Sequence, residues 1–348
     1  MAYTNIDDPS AYFQVTLYSG TGSAQSITND GNSNLQPDWM ITKNRTGTTD
    51  PMVNDSSRGV GKYMFANRTN SEATSTIDHT SFNSDGFSVS TGESVNDNGD
   101  TFVAWQWKAN GGTTSSNTDG NVTNTLQANT TAGFSISTFT STSSGNTTIG
   151  HGLGVTPDMF IVKARTQAYG WWVYHKSLPS ASSSYLTLNG TDDYKTLSWG
   201  AAPTSSIITL ASGFVGNSLS TICYAFASKQ GYSKFGSYTG NGNAEGPFVY
   251  TGFKPAFVMT KPSSATGSWS MYDHKRTGFN PIDVWLRANG TDAESTSAIS
   301  GDDIDLYSNG FKLRNSDNTI NASGTTYVYM AFAENPFVTS TGIPTTAR

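Results

Sequence analysis

Pro157-Asp158-Met159-Phe160-Ile161-Val162-Lys163 is a proline, an apolar run and a closing lysine, and the chain carries this pattern three times. The other two copies are Pro37-Asp38-Trp39-Met40-Ile41-Thr42-Lys43 and Pro255-Ala256-Phe257-Val258-Met259-Thr260-Lys261. A short, nearly continuous apolar run fits a central strand covered on both faces. Proline at the start of a strand forfeits no ladder hydrogen bond.

Three more landmarks follow in the same order. An aromatic strand ending in asparagine reads Tyr63-Met64-Phe65-Ala66-Asn67, Tyr185-Leu186-Thr187-Leu188-Asn189 and Trp285-Leu286-Arg287-Ala288-Asn289. In the last two copies Gly-Thr-Asp continues from that asparagine, and Asn-Gly is a tight-turn signal because both residues tolerate positive φ. A Gly-Phe pair follows at Gly86-Phe87, Gly213-Phe214 and Gly310-Phe311, where glycine is expected to form a turn or bulge before a strand. The last landmark is a closing strand with large residues at alternate positions: Phe102 to Trp107, Ile222 to Phe226 and Tyr327 to Phe332. Two copies add Trp-x-x-Tyr (Trp171 to Tyr174, Trp269 to Tyr272) with a His-Lys pair after each, His175-Lys176 and His274-Lys275.

Four landmarks in register three times define three repeats. Each opens on a polar-aromatic strand: Phe13 to Tyr18, Phe134 to Phe139, Tyr232 to Tyr238. The expected division is repeat one at 1–110, a Gly/Ser/Thr/Asn-rich connector at 111–129, repeat two at 130–230, repeat three at 231–338 and a polar tail at 339–348. Repeats two and three abut through Lys229-Gln230-Gly231 and are expected to pack rigidly, with the first repeat hinged or separately docked. Frequent Gly, Asn and Ser turns and the lack of a sustained 3.6-residue period predict an all-β chain of three tandem antiparallel β-sandwich domains, jelly-roll or lectin-like, with few short helices. Trp105 and Phe332 then belong to the separate cores of their own domains.

The composition of the 348 residues agrees: 13% are charged, 12% are aromatic, and the net charge is −6. No Lys/Arg run suggests a phosphate-backbone partner, so nucleic acid is not an expected ligand. No stretch approaches 18 apolar residues, and Met1 to Asp8 lacks the basic-then-apolar order of a signal peptide, so neither membrane insertion nor export by that route is expected. The single cysteine, Cys223, lies in an apolar run and reads as a small buried hydrophobe.

The four histidines (His79, His151, His175, His274) form no metal-ligand spacing, and no nucleophile elbow or phosphate loop is present. No enzyme activity and no cofactor are expected. The acidic stretches Asn96-Asp97-Asn98-Gly99-Asp100 and Asp302-Asp303-Ile304-Asp305 would suit a carboxylate pair or a calcium turn, yet neither is repeated and both read as hairpin turns. Trp172 and Trp199 match no repeated large residue and are therefore candidate exposed contacts for a surface ligand such as a glycan. His175 and His274, read as matching repeat positions, complete the candidate set.

Several stretches resemble a repeat-protein family of marine tailed phages: Met1-Ala2-Tyr3-Thr4, Phe102 to Gly112, Ser115 to Gly120, Lys234 to Gly242 and Tyr329 to Glu334. The resemblance implies a virion surface location but assigns no site residue. The function it implies is a tail- or head-attached fibre, spike or knob that contacts the host surface. The alternative is a purely structural capsid or tail decoration (cement) protein, and a glycan-degrading appendage is the outlier. Implied partners are other virion proteins (capsid, portal, tail or adaptor) and host surface glycan, with a homo-oligomer, a trimer, as the expected assembly.

Overall fold

The computed structural model describes residues 2–296 and 303–345. It is all-β, with antiparallel sheets and short helical turns such as Glu93–Asn96 and Asn318–Asn321. Each sequence repeat supplies one large sheet and one small one. In repeat one the large sheet runs in the order Phe13–Ser19, Thr101–Trp107, Trp39–Asn44, Met52–Asp55, Lys62–Phe65, Ala73–Thr74. The same order recurs in the other two: opening strand, closing strand, landmark strand, then a meander to the sheet edge. The closing strands Thr101–Trp107, Ser220–Phe226 and Thr326–Pro336 therefore sit between two neighbours, as their apolar character requires.

Two details depart from the sequence reading. The stretch 111–129 is no plain connector. It contains Ser115–Asn117 and Asn124–Asn129, which pair in series onto Phe134–Thr140 and widen the second large sheet to eight strands. Alternation of small polar residues with Leu126 and Ala128 was enough for pairing once a partner edge lay alongside. The landmark prolines also differ: Pro37 and Pro157 precede their strands, whereas Pro255 lies inside Phe253–Pro262 at a register shift, where a missing N–H is tolerated.

The period of two along the landmark strands sorts their side chains onto two faces. Met40, and Phe160 with Val162, face the small sheet of their own repeat. Trp39 and Ile41, Met159 and Ile161, Phe257 and Met259 face the opposite way, into one cluster that draws on all three repeats. Trp107, Phe226 and Phe332 meet there: Trp107 and Phe226 lie 5.6 and 6.2 Å from Phe332, ring centre to ring centre. Trp39 stacks on Tyr224 of repeat two at 5.0 Å, and Phe13 on Phe332 of repeat three at 5.2 Å. The first repeat is thus packed into a common core, not hinged beside a rigid pair, and Trp105 and Phe332 belong to that core, not to private ones.

The contacts between repeats run in a cycle. The N–H of Glu72 donates to the Arg165 carbonyl (2.7 Å), that of Tyr194 to Ser263 (2.8 Å) and that of Glu294 to Arg45 (2.7 Å). These link repeat one to two, two to three and three to one through equivalent positions. The landmark lysines complete the cycle. Each is buried to within 1% of full burial, and each Nζ crosses to the asparagine turn of the preceding repeat in the cycle. Lys43 donates to Thr291 O (2.9 Å), Lys163 to Thr69 O (2.9 Å), and Lys261 to Thr191 O (3.2 Å) and Asp192 O (2.8 Å). Each also donates to a carbonyl of its own repeat, so a buried ammonium is surrounded by acceptors.

Burial lowers the pKa of all three lysines to about 8. The unfolded chain then binds more protons than the folded one between that value and the ordinary lysine pKa near ~10.4. Stability is expected to rise as pH climbs from about 8 towards 10 and to fall beyond it. There the buried Tyr18, Tyr224 and Tyr232, whose phenols are held well above their usual pKa by burial, ionise only on unfolding. Urea titrations across this range check the rise, and Lys163→Met should flatten it. The shared core makes a second prediction. Trp105→Ala or Phe332→Ala should cost about 3–5 kcal/mol and shift one cooperative unfolding transition seen by calorimetry, whereas a shift confined to one of several resolved transitions would contradict a common core.

Candidate functional site

The four sequence candidates land in different places. Trp199 is fully buried: its indole packs on Phe160 (4.8 Å) and Phe214 (4.2 Å) and donates to Ser184 O (2.9 Å). The second small sheet has only two strands, Thr147–Gly150 and Ile207–Leu210, where the others have three, and Trp199 and Phe214 fill that repeat's core. Gly213-Phe214 accordingly lies in a turn and starts no strand. Trp172 is half-buried against Tyr185 and Phe214, both at 4.8 Å. His175 is 1% exposed and faces the common core. Neither Trp199 nor His175 is a surface contact; an unrepeated aromatic proved to be a filler for a missing strand. The two histidines are also not equivalent, because His175 pairs with Met159 as Asp273, not His274, pairs with Phe257, and as Asp55 pairs with Trp39.

That position anchors each seam between repeats. Asp55 accepts from Tyr224 Oη (2.6 Å) and is paired with the buried Arg58; Asp273 accepts from Trp105 Nε1 (3.0 Å) and pairs with Arg276 (2.6 Å). In repeat two, His175 Nδ1 accepts from the Ser177 N–H (3.2 Å), which leaves Nε2 to donate to Tyr329 O (3.2 Å). The bidentate pairs Arg45–Glu294 and Arg165–Glu72 close two seams, while Ser263 and Tyr194 hold the corresponding place in the third. Among the described residues, the seam between repeats two and three thus lacks the charge pairs that the other two hold at these positions.

A cleft opens along that third seam, with a volume of about 380 Å³. Its lining includes Lys176, Lys229, Lys234, Tyr3 and Tyr250. Lys176 follows the strand Trp172–His175 and pairs with Asp158 at 2.9 Å. Lys229 sits at the repeat junction, where Gly231 (φ +78°) turns the chain so that Ser233 N–H donates to Lys229 O at 2.9 Å. Lys234 lies on the opening strand Ser233–Thr239, donates to Tyr250 O (2.7 Å) and lies 5.0 Å from the centre of its ring. The strand Phe248–Tyr250 alternates exposed, buried, exposed, which turns Phe248 and Tyr250 to solvent. Tyr3 Oη donates to Gly252 O (2.7 Å) and lies 3.3 Å from Tyr250 Oη. Burial lowers the pKa of Lys229 and Lys234, with the Lys176 charge adding to the shift at Lys234.

His274 lines the related cleft between repeats three and one, about 200 Å³ in volume. There the charges are matched: His274 Nδ1 is 3.2 Å and Lys254 Nζ 3.4 Å from Glu334, and Lys275 pairs with Asp30 at 2.8 Å. Among the described residues, no group of three His, Cys, Asp or Glu side chains is placed to hold a metal ion. The Asp100 carboxylate accepts from Asn44 (2.6 Å) and Thr46 (2.9 Å); Asp302 lies outside the described residues, and Asp305 pairs with Arg314 at 3.2 Å. The sequence reading missed the lysine cleft. Its one signal was Lys176, read as half of a His-Lys pair, while Lys229 and Lys234 gave no repeat pattern.

Burial lowers the His175 pKa to about 4. Its neutral form belongs to the fold, so its contribution is present above the unfolded value near ~6.5 and is lost as pH falls towards 4. His175→Gln should remove up to roughly 3 kcal/mol of the acid-induced loss between those pH values, read as a shallower fall of the urea midpoint; an unchanged slope would refute a buried neutral imidazole.

No curated protein and no solved structure matches the chain. Residues 8–336 match one family over all three repeats, and the chain belongs to that family, described as Domain of unknown function (DUF7483).

Proposed function

We propose that the chain is a non-enzymatic surface protein of a phage virion, a tail- or head-attached spike or knob that contacts saccharide on the host. The observation that carries this reading is the seam cleft, where exposed tyrosine and unmatched lysine side chains line one cavity of a net acidic chain. A concave site with rings and a few polar groups is the usual form of a small-ligand site. Among the described residues no carboxylate lines this cleft, whereas glycoside cleavage commonly needs two, which supports binding over cleavage there. The virion setting rests on the sequence resemblance to phage repeat proteins. Each repeat is read as a sandwich of one large and one small sheet, three in tandem, joined on their inner faces.

The cycle of contacts favours a compact knob over a long shaft. It also supports a second reading, a capsid or tail decoration protein, because a three-sided body suits a position of local threefold symmetry on a shell. In either reading the partners are capsid, portal, tail or adaptor proteins. Labelled protein should bind host cells saturably and lose that binding when surface polysaccharide is stripped. Tight binding to empty capsids with none to cells would select the decoration role instead.

A further inference from the structure

We infer that the cleft between repeats two and three binds an anionic polysaccharide, one carrying carboxylate or sulfate groups along a chain of sugar rings. The inference rests on the adhesive reading above and names its ligand. The cleft adjoins a second cavity of about 400 Å³, and the two share Tyr3, Lys229 and Gln230 in their walls. Each lies within the range of about 300–1,000 Å³ typical of small-ligand sites. The shared walls set the two cavities side by side, which suits a chain passing over both better than a single compact ligand.

The charge pattern selects the sign. Lys229 and Lys234 have no carboxylate within ion-pair distance among the described residues, and Lys176 beside them has only Asp158. The related cleft at the seam of repeats three and one neutralises its own cations with Glu334 and Asp30. Repeat architecture therefore does not force a lysine excess; of these two related clefts, the one between repeats two and three carries it. Burial disfavours the Lys229 and Lys234 ammonium groups, the Lys176 charge adds to this at Lys234, and an anion between them relieves that cost.

The rings select the scaffold. Tyr250 is 49% exposed, and Lys234 stands beside its ring in cation–π range. Tyr3 is held by its bond to Gly252, whose φ of +86° suits glycine and whose missing side chain leaves room for the phenol: a Cβ there would come within 2.8 Å of Tyr3 Oη. A flat ring next to a cation matches a pyranose, with its C–H face on the ring and its acid group on the ammonium. A nucleic acid fits less well, because phosphate tracking needs a basic stripe on the surface and the remainder of this chain is net acidic.

The test is calorimetric titration of the full chain with alginate oligosaccharide, dextran sulfate, neutral dextran and a single-stranded oligonucleotide. Binding is expected to the first or second, weakened by salt, and not to neutral dextran. The paired substitution Lys229→Gln with Lys234→Gln, and separately Tyr250→Ala, should each raise Kd by about tenfold or more without moving the thermal midpoint. Absence of binding to both charged glycans overturns the inference. So does equal affinity in the variants, or an oligonucleotide that binds as tightly and ignores Tyr250→Ala. Host-cell binding that persists when both glycans fail overturns the ligand class and leaves the adhesive role; glycan binding without cell binding does the reverse.

Discussion

A sheet whose central strands are apolar on both faces needs a cover on each side, and each repeat has only one small sheet to give. The landmark strands leave Trp39, Met159 and Phe257 on the uncovered side. Exposing three such faces would leave large apolar patches in water, at roughly 25 cal/mol for each Å². Turning the three faces towards one another removes them together. The remaining features follow from that closure: the cyclic contacts, the buried lysines and the seams.

Closure leaves the edges of the sheets to be joined. Backbone bonds of one kind do this at all three seams, and the buried lysines reach across to carbonyls of the asparagine turns, which supply acceptors for their ammonium groups. The side chains then diversify. Two seams use acid–arginine clusters around Asp55 and Asp273, while the third substitutes His175, Ser263 and Tyr194. Threefold closure, which an assembly of separate chains commonly provides, is here supplied within one chain. The differences between seams are what permit one of them to carry a cleft with its own charge.

The strands were legible because a period of two and the turn residues act locally. Pro37 and Pro157 lie just before strands, the asparagine turns fall where Asn189-Gly190 and Asn289-Gly290 stand, and Cys223 is buried on the face of its own repeat's core. The connector was misread because Ser115–Asn117 has no apolar alternation and is a strand only through its partner. Trp199 was misread because the gap it fills is left by a strand that is absent, which no local pattern encodes.

The sequence by itself determined the repeat, the order of its landmarks along the chain and the lysine in each landmark strand, since these depend on neighbours a few residues apart. Only the tertiary structure decided that both faces of each landmark strand are used differently, one for its own repeat and one for all three. It alone also gathered Lys176, Lys229, Lys234, Tyr3 and Tyr250 into one groove. Those residues come from four separate stretches of chain, and their proximity is set by how the repeats close on one another, a long-range condition that no local periodicity records.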